Sequence, residues 1–120
     1  MTEKRLLIVD DEPDMSEVVR RVAEDLGYEV QVAVDGREFM RTFDSFNPTV
    51  VVLDIVMPGM DGIELVKWLH TRGCSARIFV ASAFNLEYAK MAEMLGEAEG
   101  LDVKLLKKPF QIAALRAALS

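Results

Sequence analysis

Four apolar runs and one alternating segment recur along the chain, and each is followed by a stretch whose apolar residues return every three or four positions. Leu6–Val9, Val50–Leu53, Ile78–Ala81 and Val103–Leu106 are short runs of mostly apolar residues, which suits strands buried on both faces. Tyr28–Val34 alternates and reads as a strand with one wetter face. Helical spacing follows in Met15, Val18, Val19, Val22 and Leu26, then in Phe39, Met40, Phe43 and Phe46, then in Ile63, Val66 and Leu69. A fourth helix is expected over Leu86–Leu95, with Tyr88, Met91, Ala92 and Leu95 facing inward, and a fifth over Phe110–Leu119. Gly27, Asp35-Gly36, Asn47-Pro48 and Arg72-Gly73 punctuate the series. Strands that alternate with helices require crossover connections, hence a parallel sheet with helices on both faces. An α/β barrel would need eight such units, so the doubly wound form is expected.

At 120 residues the chain is expected to be a single domain over 1–120, large enough to bury a core without staples. Its 51% hydrophobic content excludes a disordered chain. No apolar run approaches the roughly 20 residues that span a bilayer, and the opening MTEKRLLIVDD does not read as a signal peptide. Cys74 has no second cysteine to pair with, either in a disulfide or in a zinc site, and a reducing cytoplasm fits. A net charge of -6 argues against nucleic-acid binding by the domain itself, because phosphate contacts need clustered Lys and Arg.

In open parallel sheets, ligands bind outside the carboxyl ends of the strands. The first strand ends in Asp10 and Asp11, the third in Asp54, the fourth in Ser82, and the fifth in Lys107, Lys108 and Pro109. The second ends in nothing chemical, as befits an edge. Singly, each residue has a bland explanation: Asp10, Asp11 or Ser82 as a helix cap, Asp54 as a solvated turn residue, Lys108 as a surface lysine. Jointly they place carboxylates, a hydroxyl and an ammonium on one rim. Two like charges about 4 Å apart repel by roughly 4 kcal/mol at an effective dielectric of 20, so the acids need a cation. Oxygen ligands without His or Cys select Mg²⁺, Mn²⁺ or Ca²⁺. A hard cation beside a lysine and a hydroxyl suits a phosphoryl group. With no GxxxxGK[ST] and no GxGxxG, that group must sit on something other than a bound nucleotide, and aspartate can accept it as an acyl phosphate.

VDDE (Val9–Glu12), LDxxMPGMDG (Leu53–Gly62), Ser82-Ala83 and KPF (Lys108–Phe110), taken together, resemble the receiver domain of two-component response regulators, over essentially the whole chain. The resemblance implies a CheY-like, flavodoxin-like (βα)5 fold with strand order 2-1-3-4-5. It implies that Asp54 is the phosphoacceptor. Asp11 would be the direct Mg²⁺ ligand, Asp10 a ligand through water, and the Val56 carbonyl part of the metal shell, with Mn²⁺ able to substitute. Lys108 would pair with the phosphoryl oxygens, Ser82 would hydrogen-bond one of them, and the Lys108–Pro109 bond would be cis. The donor would be a sensor histidine kinase or phosphotransfer protein, and the output a switched conformation rather than turnover, so no enzyme activity is expected.

The sequence departs from the family pattern in three places. Leu105 stands where many receivers carry a Tyr or Phe switch residue. VASAF (Val80–Phe84) resembles the FATGY variant of some single-domain receivers, so Phe84 could serve as the switch aromatic or as a loop anchor. The interval from Ser82 to Lys108 is longer than usual, with the excess assigned to Leu95–Asp102; it lies in the fourth-helix, fifth-strand, fifth-helix face through which receivers commonly meet partners. That leaves room for an unusual effector or a homodimer, and the stretch resembles, weakly, receivers fused to cyclic-dinucleotide phosphodiesterase domains. Apolar Val56 and Phe84 would shield an acyl phosphate and slow its hydrolysis. His70 is read as a helical surface residue, Trp68 as packed on a neighbouring helix, and the methionines as core filler, with Met15, Met57 and Met60 near the rim. Two alternatives remain: a pseudo-receiver that acts by protein–protein contact alone, and a haloacid-dehalogenase-like phosphatase, which would want DxDx[TV] where this chain has DDEPD.

Overall fold

The apolar runs form one parallel sheet. The computed structural model describes residues 3–55, 62–83 and 86–120. In chain order the elements are β1 (Arg5–Val9), α1 (Pro13–Asp25), β2 (Glu29–Ala33), α2 (Gly36–Phe46), β3 (Val50–Asp54), α3 (Gly62–Thr71), β4 (Arg77–Ser82), α4 (Leu86–Ala98), β5 (Asp102–Lys107) and α5 (Ile112–Leu119). The strands lie in the order β2-β1-β3-β4-β5, all parallel, as expected for a doubly wound fold.

Strand periodicity sorts the core into two halves. Leu7, Val9, Val51, Leu53, Ile78, Val80 and Val103 face one side, where Phe39 of α2, Leu65, Val66 and Leu69 of α3, and Ala89 and Ala92 of α4 cover them. Leu6, Ile8, Val50, Val52 and Phe79 face the other, beneath Val19, Val22 and Ala23 of α1 and Leu115 and Leu119 of α5. β3 is buried along its whole length, which is why its sequence is apolar until Asp54. β2 and β5 are the edges, and they show it: Glu29, Gln31, Asp102, Lys104 and Lys107 point to solvent, which discourages pairing with another chain.

Two expectations about α4 need correction. The helix runs on to Ala98 rather than ending at Leu95. Nothing in Gly96-Glu97-Ala98 stops it before Gly100, whose φ of +83° lets Leu101 N–H donate to the Gly96 carbonyl at 2.8 Å. Leu95–Asp102 is therefore the last turn of α4, its terminating turn and the first residue of β5. The inward face is partly as expected: Ala92 is buried and Tyr88 packs against the core, but Met91 is 58% exposed, and Ala89 and Gly96 are the other buried residues, with Met94 68% exposed. Helix and sheet approach so closely that a Cβ on Gly96 would lie 2.3 Å from Val103 Cγ2. Only a small residue fits at that seam, and Met91 and Met94 turn outward, so these two methionines are not core filler. α5 begins at Ile112 rather than Phe110, and Phe110 packs as a loop residue against the α1–α5 half of the core.

The remaining landmarks are where the helical spacing puts them. Trp68 stacks edge-on against Phe43 of α2, with ring centroids 5.4 Å apart. His70 is a half-exposed helical residue whose Nε2 lies 2.7 Å from Glu99 Oε2, joining the ends of α3 and α4. Among the described residues, no helix is long and apolar enough to cross a membrane.

Candidate functional site

Each strand delivers its polar residue to the rim by ending there. Beyond β1, Asp10 N–H still donates to the Ala33 carbonyl at 3.2 Å, which holds Asp10 in line with the sheet. Its Oδ1 then accepts the Glu12 N–H at 2.9 Å, a side-chain turn that swings the chain out of the sheet and into α1. Pro13 opens that helix, where its missing N–H costs nothing. Asp54 is the last residue of β3, opposite Ala81 of β4, and the Ile55 N–H donates to the Ala81 carbonyl at 3.0 Å. Ser82 closes β4 opposite Lys107 of β5. Lys108 N–H donates to the Ser82 carbonyl at 2.8 Å, and the Lys108–Pro109 bond is cis, as the family resemblance implied.

Three of these residues are buried although polar: Asp10, Asp54 and Ser82 are at most 5% exposed, while the other buried residues among those described are almost all apolar. Buried carboxylates require a counter-charge. Lys108 supplies one. Its Nζ lies 2.8 Å from Asp10 Oδ2, 3.4 Å from Asp54 Oδ2 and 3.4 Å from Glu12 Oε1, and its side chain is only 6% exposed. Burial alone would lower the pKa of this ammonium. The hydrogen bond to Asp10 and the charges of Asp10, Asp54 and Glu12 outweigh burial, and hold it above the ordinary lysine value.

One ammonium does not balance the cluster. Asp10, Asp11, Glu12 and Asp54 each offer a carboxylate oxygen, and these oxygens lie within 4.8 Å of one another. Four carboxylates against one ammonium leave a formal excess of three negative charges. All the donors are hard oxygens, the set that suits Mg²⁺ or Mn²⁺. The residues present therefore fit the divalent ion that the sequence implied.

Asp10, Asp11, Asp54 and Lys108 are brought together as expected, and Ser82 ends the neighbouring strand on the same rim. Leu105 is not at the cluster. It pairs with Val80 and packs against the α2–α4 half of the core, and it also lines an open cavity of about 380 Å³ with Leu106, Pro109 and Phe110. Val56, Phe84, Met57 and Met60, singled out from the sequence, lie outside the described residues. Glu12 is the member of the cluster to which the sequence reading gave no role. Its place beside Asp10 and Asp11 was visible, but not that its side chain would reach a lysine 96 positions away.

Comparison with known proteins agrees with this geometry. The family model of the response regulator receiver domain matches residues 6–120. The chain belongs to the response regulator receiver family. Among curated relatives, this receiver is 35% identical over 113 residues to the response regulator MprA of Mycolicibacterium vanbaalenii, covering 94% of this chain and 47% of that one. It is 34% identical over 116 residues to the transcriptional regulatory protein TrcR of Mycobacterium tuberculosis, covering 96% and 43%. The receiver thus spans less than half the length of these relatives. Among solved structures, the chemotaxis response regulator CheY4 of Vibrio cholerae superposes with a TM-score of 0.82 at 30% identity, over 98% of this chain and 97% of that one.

Proposed function

We propose that this receiver accepts a phosphoryl group on Asp54 from a phosphohistidine of a sensor kinase or phosphotransfer protein, and that the acyl phosphate switches its contacts with a partner. One observation carries the reading: Lys108 Nζ lies between buried Asp54 and buried Asp10 at the edge of an oxygen-only carboxylate cluster. In the transfer, an Asp54 carboxylate oxygen forms a bond to phosphorus as the bond from phosphorus to the donor imidazole breaks. The bonding pair leaves on that nitrogen, which takes up a proton from solvent. Lys108, 3.4 Å from Asp54 Oδ2, turns its ammonium to the phosphoryl oxygens, and the Ser82 hydroxyl donates to one of them. Asp10, Asp11 and Asp54, with the Val56 carbonyl, would hold Mg²⁺ or Mn²⁺, which when bound neutralises charge on those oxygens.

A phosphoryl group adds about two negative charges and strong acceptors to the rim, enough to draw Ser82 and the following loop toward it. In this reading Phe84 and Leu105 register that movement. The signal leaves through α4, β5 and α5, where exposed Met91, Met94 and Ile112 offer apolar contact to an effector or a second copy. Residues 1–120 act as one receiver unit, placed in the cytoplasm with its donor.

The test is incubation with acetyl phosphate and Mg²⁺ beside Asp54→Asn and an EDTA control, each weighed as intact protein. A gain of one phosphoryl group, about 80 Da, only where Asp54 and metal are both present is the expected result. No adduct, with beryllofluoride also failing to perturb the protein, refutes it and favours a pseudo-receiver whose function is partner binding alone.

A further inference from the structure

Glu12 occupies the N-cap position of α1, yet its side chain makes no capping hydrogen bond. Instead Oε1 lies 3.4 Å from Lys108 Nζ, and its carboxylate sits within 4.8 Å of the oxygens of Asp10, Asp11 and Asp54. The side chain is 59% exposed, so packing does not force it there; the charge of Lys108 draws it. We propose that Glu12 is a positioning residue of this site: its charge strengthens the hold on the divalent cation, while its contact with Lys108 competes with the incoming phosphoryl group. This inference rests on the phosphoacceptor reading above.

The competition follows from sign. A fourth negative charge close to the carboxylate oxygens favours a doubly positive ion and disfavours an anion on Asp54. The Lys108 ammonium has three N–H donors, and Glu12 draws part of its charge away from the phosphoryl oxygens. Asp10 can keep its share of the ammonium at 2.8 Å, but the 3.4 Å contact with exposed Glu12 is the one solvent can most readily replace. Glu12 therefore sets a compromise, in which tighter metal binding comes with weaker anion binding.

The experiment compares the wild type with Glu12→Gln and Glu12→Asp. Mg²⁺ affinity is read by NMR titration without phosphodonor, and beryllofluoride affinity at saturating Mg²⁺. Exposed charge pairs change affinities by about two- to fivefold. Glu12→Gln should weaken Mg²⁺ binding by roughly threefold and tighten beryllofluoride binding by a similar factor. Glu12→Asp keeps the charge but shortens the reach to Lys108, so it should restore Mg²⁺ affinity while placing beryllofluoride affinity between those of the wild type and Glu12→Gln. Damage to the fold would weaken both ligands together, whereas the proposal requires opposite changes. Unchanged affinities in Glu12→Gln, or shifts in the same direction, overturn it. Failure of the wild type to gain a phosphoryl group on Asp54 would instead overturn the parent reading, and the Mg²⁺ titration would still decide whether Glu12 bears on the cation.

Discussion

Replacing Lys108 with methionine keeps most of the side-chain volume and removes the ammonium that faces Asp10 and Asp54. Both carboxylates are buried, with side chains 2% and 7% exposed, so neither can recover its hydration without local opening. Removing one partner of a buried ion pair typically costs roughly 3–5 kcal/mol, because the remaining charge is left uncompensated. The contact with Glu12 adds little, since that carboxylate is 59% exposed and its contribution falls in the range of about 0–1 kcal/mol. Lys108→Met should therefore lose about 3 kcal/mol or more in urea unfolding followed by circular dichroism, in EDTA at neutral pH. Millimolar Mg²⁺ should recover more stability in the variant than it adds to the wild type, because the cation then supplies the missing counter-charge. A variant within about 1 kcal/mol of the wild type in EDTA, or an equal gain from Mg²⁺ in both, would mean that Lys108 is not the counter-ion on which the cluster depends.

Three further outcomes follow from the same structure. Asp11→Asn removes an exposed member of an acidic cluster and should raise stability in EDTA by up to about 1 kcal/mol while weakening the thermal shift produced by Mg²⁺; melting with and without metal checks it. The Lys108 ammonium has a raised pKa in the folded protein, so its contribution is fully present below the unfolded value of about 10.4 and is lost as pH rises through the higher folded value. The stability gap between the wild type and Lys108→Met should accordingly stay constant from about pH 8 to 10 and close above that, in urea melts across the alkaline range. Gly96→Ala drives a methyl group into Val103 and should cost roughly 1–3 kcal/mol, with part recovered in the double variant Gly96→Ala, Val103→Ala.

Much of this protein was legible in the order of its residues. β1, β3 and β4 are short and mostly apolar because a parallel sheet covered on both faces buries its inner strands on both sides, and that pattern needs no tertiary information to read. Asp10, Asp54, Ser82 and Lys108 were legible for a related reason. A polar residue at the end of such a run stands where the sheet stops and the crossovers begin, which is where parallel sheets hold their ligands. The inward face of α4 was legible only in part. Helical spacing alone allowed Met91 to point inward, whereas the folded helix buries Ala89, Ala92 and Gly96 and leaves Met91 exposed.

By itself the sequence determined the number and type of elements, the parallel sheet and the rim on which the carboxylates gather, because these depend on hydrophobic period and on which residues end each run. Only the tertiary structure decided how the charges are shared. That Lys108 reaches Asp10, Asp54 and Glu12 at once, and that Glu12 leaves its helix N-terminus to do so, depends on distances across β1, β3 and β5. Those distances are fixed by the pairing order of the strands, and Coulomb energies at a few ångströms depend on them more steeply than any pattern along the chain can register.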